Sequence, residues 1–331
     1  MKKGIIKKGI QFYKRYGIRG GIATLTGQGQ IKDKNYAAWY EKNKVSEEEL
    51  AIQRNKEFPY MPLFSILVPV YNTPIPYLRE MLDSVRNQTY QKWQLCIANA
   101  NPENEEVARI LNQYIEMDKR IQTVNVPENL GIAQNTNKAL SIAKGDYIGL
   151  LDHDDMLAAD ALFEVAKTIN DKNADVIYTN EDKITMSGEK YFQPNFKPEY
   201  NLDMLRSNNY ICHFFIAKAS LMKEIGGFRG EYNGAQDYDM IFRCTERADN
   251  IVRIPKVLYH WRMHEQSTAE NPESKRYAFD AGKKVIEDHL KRCGESAEVE
   301  MTEYPGFYRV KYAIKEKPRV SVVIVKETKN M

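Results

Sequence analysis

Between Phe64 and Thr179 short apolar runs alternate with amphipathic stretches. Phe64 to Val70 reads as a continuous apolar strand, and Pro74 and Pro76 open a helix whose Leu78, Met81, Leu82 and Val85 share one stripe. A strand over 93–98, a helix over 103–117 and a strand over 121–126 follow. Then comes a helix over 131–143, with Asn129 read as its cap and Gly145 as its stop. A fourth strand over 147–151, a helix over 157–170 and a strand over 174–179 close the run. A β-α-β-α-β-α-β order leaves few solutions: an α/β fold with a parallel sheet and helices on both faces. In such sheets ligands bind outside the carboxyl ends of the strands. That edge collects Tyr71-Asn72-Thr73, Asn99-Ala100-Asn101, Asn129-Leu130-Gly131 and Asp152-His153-Asp154-Asp155.

The acidic run is the chemically loudest of these. In an extended chain Asp152 and Asp154 share one side and Asp155 takes the other. Crowded carboxylates repel unless a cation or solvent separates them. Hard oxygen ligands at this density suit Mg²⁺ or Mn²⁺, and Mg²⁺ commonly takes one or two carboxylates plus substrate phosphates. A second reading stands beside this one: a polar turn in which Asp154 or Asp155 caps a helix beginning near Met156.

Residues 1–30 interleave Lys2, Lys3, Lys7, Lys8, Lys14, Arg15 and Arg19 with Ile5, Ile6, Ile10, Phe12 and Tyr16. This basic amphipathic stretch fits either an anionic membrane surface or a solvated helix packed on the domain. It lacks the apolar core and small-residue cleavage site of a secretory signal. Residues 33–58 read as helical, with a helix start at Ser46-Glu47-Glu48-Glu49, and Pro59 and Pro62 mark the boundary. After about 185 the alternation breaks into Tyr-, Asn- and Pro-rich chain, a strand over 211–217, a helix over 219–225 and Gly226-Gly227-Phe228. A helix opening at Gln236-Asp237-Tyr238-Asp239, a strand over 252–259 and a helix over 275–292 complete it. Pro318 to Val325 repeats the character of Phe64 to Val70, as the first strand of a second copy would, or as a strand pairing with this domain. Four cysteines without a Cys-x-x-Cys pair read as reduced, cytosolic thiols. A net charge of +3 gives no basis for nucleic-acid binding, and no apolar run approaches a transmembrane span.

Six motifs in order carry a family resemblance. They are Pro69-Val70-Tyr71-Asn72, Asn129-Leu130-Gly131, Leu151-Asp152-His153-Asp154-Asp155, Gly226-Gly227-Phe228, Gln236-Asp237-Tyr238-Asp239 and the run from His260 to Ser267. Together they resemble the family 2 glycosyltransferases of GT-A fold, whose Rossmann-like central sheet is mainly parallel with helices on both faces. The Leu-Asp-His-Asp-Asp form is similar to members that build rhamnan, O-antigen and capsular polysaccharide. The resemblance covers about residues 65 to 290, and the tail suggests the N-terminal unit of a tandem enzyme.

The chain thus divides into a basic, helical N-terminal extension over 1–62, a domain over 63–300 that the resemblance implies is GT-A, and a C-terminal strand segment over 301–331 that reads as the start of a truncated second unit. Residues 63–185 would form the nucleotide-sugar half of that domain and 186–300 the acceptor half. It implies that Asp152 and Asp154 form an Asp-x-Asp motif, Asp154 on the Mn²⁺ or Mg²⁺ ion and Asp152 on the ribose or the metal. Asp237 falls on the general base. His264, in an Arg-x-His-x-x-Ser run that begins at Arg262, would close over the diphosphate or complete the metal shell. Pro69, Tyr71 and Asn72 would hold the nucleoside, with Asn129, Gly131 and Arg262 also on the nucleotide sugar. Asn99 stands where the family usually has an Asp that reads the pyrimidine N3–H; an amide can accept that proton too, more weakly.

The implied activity is inverting, metal-dependent transfer from a UDP- or dTDP-sugar to a glycan or lipid-linked glycan, at the cytoplasmic face of the cell membrane. The alternative is a non-catalytic nucleotide-sugar- or glycan-binding unit of a tandem glycosyltransferase, motivated by Asn99 and the tail. An aspartyl phosphohydrolase is a third option, but it would carry Asp-x-Asp after its first core strand rather than its fourth. Read from residues alone, Asp237 could simply cap its helix. Asp239 reads as a bystander, His260 and Trp261 as packing residues, and His264 as a surface histidine.

Overall fold

The computed structural model describes residues 28–263, 276–314, 316 and 319–324. The basic stretch before Gln28 and the His264 to Ser267 motif therefore lie outside the described residues.

Two helices come first, α1 (Gln28–Asn43) and α2 (Glu47–Arg54), in place of one helical block. Ser46 caps α2 by accepting from Glu49 N. The alternating core follows: β1 (Phe64–Val70), α3 (Ile75–Arg86), β2 (Trp93–Asn99), α4 (Glu105–Met117), β3 (Ile121–Asn125), α5 (Ile132–Ser141) and β4 (Tyr147–Leu150). The chain continues through β5 (Met156–Leu157), α6 (Ala161–Lys172), β6 (Val176–Ile184), β7 (Tyr191–Asn195), α7 (Leu202–Ser207), β8 (Phe215–Lys218) and α8 (Ala219–Glu224). It ends with α9 (Gln236–Thr245), β9 (Ile251–Arg262), α10 (Arg276–Arg292), β10 (Ala297–Met301) and β11 (Tyr308–Tyr312).

The large sheet runs in the order β3-β2-β1-β4-β8-β6-β9-β5, with β7 on β6. β1 pairs in parallel with both β2 and β4, as the alternation requires. β8 is antiparallel to β4 and to β6, so a strand from the later half sits between two from the earlier half. The expectation of α/β layering holds. The alternation did not foretell that β6 would be displaced from β4. Phe64, Ile66, Val68 and Val70 point into one buried layer beneath α3, α4 and α6, and Leu67 points into the other beneath α5, α9 and α10.

Three local expectations are corrected. Met156 and Leu157 do not begin a helix: they pair antiparallel with His260 and Tyr259, and α6 starts at Ala161. Neither Asp154 nor Asp155 is therefore a helix cap. Asn129 does not cap α5 either. That helix begins after Gly131 (φ +85°), and Ala133 N donates instead to Asn233 Oδ1, 3.1 Å away. Gly145 is not a left-handed helix stop. It is glycine because a Cβ there would lie 2.6 Å from Ser65 N and 2.7 Å from Leu63 O. At the C-terminal end, β10 and β11 form a separate hairpin, and Val320 to Ile324 are exposed and unpaired in any strand.

Candidate active site

The chain leaves β1 in one direction to reach β2 and β3, and returns on the other side of β1 as β4. A crevice must open outside the carboxyl ends of β1 and β4, where the strand order reverses. A cleft of about 1510 Å³ lies there. It exceeds the few hundred to about 1,000 Å³ of an ordinary small-ligand pocket, so it has room for two substrates. Pro69, Tyr71, Asn72, Asn129, Gly131, Asp152, Asp154 and Asp237 all line it.

The acidic loop is held from beneath. Tyr259 Oη accepts from Asp152 N at 3.3 Å and donates to Asp155 Oδ2 at 2.6 Å. Arg262 N donates to Asp155 Oδ1 at 2.7 Å. Asp155 is fully buried and both its oxygens are engaged, whereas the Asp152 side chain is 46 % exposed to the cleft. Arg262 departs from the expected nucleotide-sugar contact. It is fully buried beneath the loop, donating to Asp154 O at 2.7 Å and to Thr185 O at 3.2 Å and pairing with Glu80. Its guanidinium is spent on holding the loop. Asn99 also departs: it is buried, does not line the cleft, and its Oδ1 accepts from Asn101 N at 3.2 Å. Asn72 does face the cleft, at φ +51°, where it accepts from Asn101 Nδ2 at 2.7 Å.

Asp237 sits in the first turn of α9 without capping it; Ala235 occupies the cap position. Asn209 Nδ2 donates to Asp237 Oδ2 at 2.8 Å, and Cys212 Sγ lies 3.8 Å from the same oxygen. Asp239, two residues on, is fully buried between Arg229 and Arg243, in keeping with its reading as a bystander. Gly226 and Gly227 adopt φ of +76° and +75°, and a Cβ on Gly227 would lie 2.6 Å from Asn137 Oδ1, which accepts from Phe228 N. The Gly-Gly-Phe motif is thus a joint between α8 and α5. His260 is buried against Asp182 and Tyr40, the packing role expected of it, while Trp261 lines the cleft.

Sequence reading missed His213, Glu181, Asn209 and Cys212, all of which line the cleft. His213 Nε2 is 3.7 Å from Asp152 Oδ2 and 3.5 Å from Cys212 Sγ, and its Nδ1 is 3.2 Å from Glu181 Oε2. Glu181 is backed by Lys197 Nζ at 3.2 Å. A lone His inside the apolar Ile211 to Ala217 run, and a Glu just past the expected end of β6, were the available signals.

Limited solvation and the neighbouring charge of Asp154 raise the Asp152 carboxyl above its ordinary value. Burial, then the charges of Asp154 and Asp152, raise Asp155 further. Burial pulls the His213 imidazole down but is outweighed by Cys212 and Glu181, so it is held well above the usual histidine value. Burial pushes the Cys212 thiol up to about 11, which keeps it protonated at neutral pH. Crowded carboxylates of this kind are relieved by a cation. Asp152, Asp155 and His213 each place a ligand atom within 4.8 Å of the others, and the buried Nδ1 atoms of His213 and His153 lack an aligned hydrogen bond. Asp155 has both oxygens engaged, so it is Asp152 and His213 that turn ligand atoms of a kind suited to a divalent ion toward the cleft.

The model of the family described as Glycosyl transferase family 2 matches residues 65–226. An uncharacterized glycosyltransferase of Methanocaldococcus jannaschii is 30% identical over 209 residues, 61% of this chain and 71% of that protein. The chain belongs to glycosyl transferase family 2. The O-antigen biosynthesis protein RfbC of Myxococcus xanthus is 31% identical over 88% of this chain, but over 23% of its own length. The chain spans about a third or less of the length of the first curated relatives it matches. Among solved structures, S. aureus TarS 1–349 in complex with UDP-GlcNAc superposes with a TM-score of 0.55 at 20% identity, covering 69% of this chain and 66% of that one. This likeness of fold agrees with the GT-A-like α/β architecture expected of a family 2 glycosyltransferase.

Proposed function

We propose that this chain is an inverting, divalent-metal-dependent glycosyltransferase. It moves a sugar from a UDP- or dTDP-sugar to a hydroxyl of a growing surface polysaccharide or lipid-linked glycan. One observation carries the reading: the exposed carboxylate of Asp152 and the first-turn carboxylate of Asp237 share one cleft and are linked by His213 and Cys212 in contacts of 3.5 to 3.8 Å. The likeness to the O-antigen biosynthesis protein RfbC supports the acceptor class, and the UDP-GlcNAc bound by TarS supports the donor class.

Residues of the earlier half hold the donor. Pro69, Tyr71 and Asn72 flank the nucleoside, and Asn129 and Gly131 present the start of α5 to phosphate oxygens. Asp154 and Asp152 would hold Mn²⁺ or Mg²⁺, with His264 joining them as the resemblance implies. Bound there, such an ion would supply neutralisation of charge on the departing diphosphate. Asp237 takes the proton from the acceptor hydroxyl, which contributes roughly 10²–10⁴-fold. Asn209 fixes Oδ2, leaving Oδ1 to receive that proton. A single base opposite the leaving group gives in-line displacement with inversion. The protonated Cys212 thiol does not offer a nucleophile for double displacement. The basic N-terminal stretch would bring the enzyme to the inner membrane face, and no helix among the described residues is long and apolar enough to cross a membrane.

The test is a panel of UDP- and dTDP-sugars incubated with the protein and Mn²⁺, read as nucleotide release. Release from one donor supports the reading. Metal-dependent nucleotide binding without release from any donor, with glycan acceptors supplied, favours the non-catalytic binding unit instead.

A further inference from the structure

We propose that His213, backed by Glu181, supplies an imidazole ligand to the divalent cation held by the acidic loop. The inference rests on the metal-dependent reading above and names a ligand outside the acidic loop.

His213 faces the loop across the cleft, with Nε2 3.7 Å from Asp152 Oδ2. Two ligand atoms on one such ion stand roughly 3–3.5 Å apart for bonds near 2.1 Å, so this pair needs only a small adjustment to share a cation. Its other ring nitrogen, Nδ1, is 3.2 Å from Glu181 Oε2, in ion-pair contact but turned out of line for a hydrogen bond, so a small ring rotation on metal binding would align the two. A carboxylate behind the distal nitrogen is the usual way a metal-binding imidazole is held in one tautomer and orientation. Glu181 is itself fixed, by Lys197 Nζ at 3.2 Å and Asn195 Nδ2 at 3.1 Å. The ring stacks on Tyr259 at 4.5 Å and 9°, and the same Tyr259 hydroxyl ties down Asp152 N and Asp155. One aromatic residue therefore sets the imidazole and the acidic loop in register before any ligand binds.

The full chain is loaded with Mn²⁺ and UDP and examined by electron spin echo envelope modulation, which detects ¹⁴N directly bound to Mn²⁺. Wild type is compared with His213→Gln, His153→Gln, His264→Gln and Glu181→Gln. The proposal expects an imidazole nitrogen coupling in wild type that His213→Gln removes or diminishes, and that His153→Gln leaves in place. Glu181→Gln is expected to keep the coupling and weaken Mn²⁺ affinity by about 10–100-fold. His213→Asn replaces His213→Gln if circular dichroism shows the latter unfolded. An unchanged coupling in a folded His213 variant overturns the proposal, as does bound Mn²⁺ without any nitrogen coupling in wild type. Failure of wild type to bind Mn²⁺ with UDP overturns the metal-dependent reading itself, and this proposal with it.

Discussion

Asp152 and Asp155 stand three positions apart in one loop, yet their surroundings give them opposite work. Asp155 is sealed under Tyr259 and Arg262, while Asp152 opens on the cleft. Tyr259→Phe removes the hydroxyl that serves both, and is expected to cost about 1–3 kcal/mol of stability in urea unfolding, since it leaves buried groups unpartnered. An unchanged unfolding midpoint would mean the loop is held by Arg262 alone. Asp237 makes a different prediction. Asp237→Asn keeps the shape and the Asn209 contact but not the base, so transfer should fall by at least about 10²-fold while nucleotide affinity stays within about two-fold. Normal transfer by that variant would remove Asp237 from the mechanism.

Elements decide which of these residues could be read from sequence. The strands β1 to β4 and their helices were legible because each strand is a short run rich in apolar or β-branched residues, each helix carries one apolar stripe, and both signals are locally encoded. That placed Pro69, Tyr71, Asn72, Asp152 and Asp154 at one sheet edge, and the cleft has them there. What sequence could not give was set by pairing between distant segments. Asn233 serves the start of α5 from 100 residues away, β5 exists only because β9 accepts it, and Arg262 is drawn under the loop by carbonyls from two other segments. His213 and Glu181 meet only once β8 and β6 pair. The early helix α1 is also sewn in by distant partners: Tyr36 Oη donates to Asp182 Oδ2 at 2.7 Å, and Tyr40 Oη lies 3.2 Å from His260 Nε2. On β6, Asp182 thus faces α1 while its neighbour Glu181 faces the cleft.

A second network joins α9 to α10 through Glu246, His289 and Arg292. Burial raises the Glu246 carboxyl, but His289 and Arg292 outweigh it and bring it down to about 2 from an ordinary 4.5. Its folded value lies below its unfolded one, so its contribution is complete above about pH 4.5 and is lost as pH falls toward about 2. The shift corresponds to at most about 3 kcal/mol. Glu246→Gln should therefore destabilise the protein most at pH 6–7 and progressively less toward pH 3 in denaturant unfolding. A constant difference across that range would contradict the linkage.

At the scale of the whole molecule, one mixed sheet carries both sides of the cleft. β8 from the later half lies between β4 and β6, so the acidic loop and the wall bearing His213 cannot move apart without breaking the sheet. Both walls of the cleft are thereby built on one rigid frame, and specificity is left to the loops around it. On the proposed function, this frame presents a cation-assisted diphosphate site. Calorimetric titration of UDP and dTDP into the full chain, with and without Mn²⁺, tests it most directly. At least one nucleotide should bind with Mn²⁺ present, and omitting Mn²⁺ or introducing Asp154→Asn should weaken binding by about ten-fold or more. Binding of equal strength without the metal, or none with it, would rule out a cation-assisted diphosphate site here.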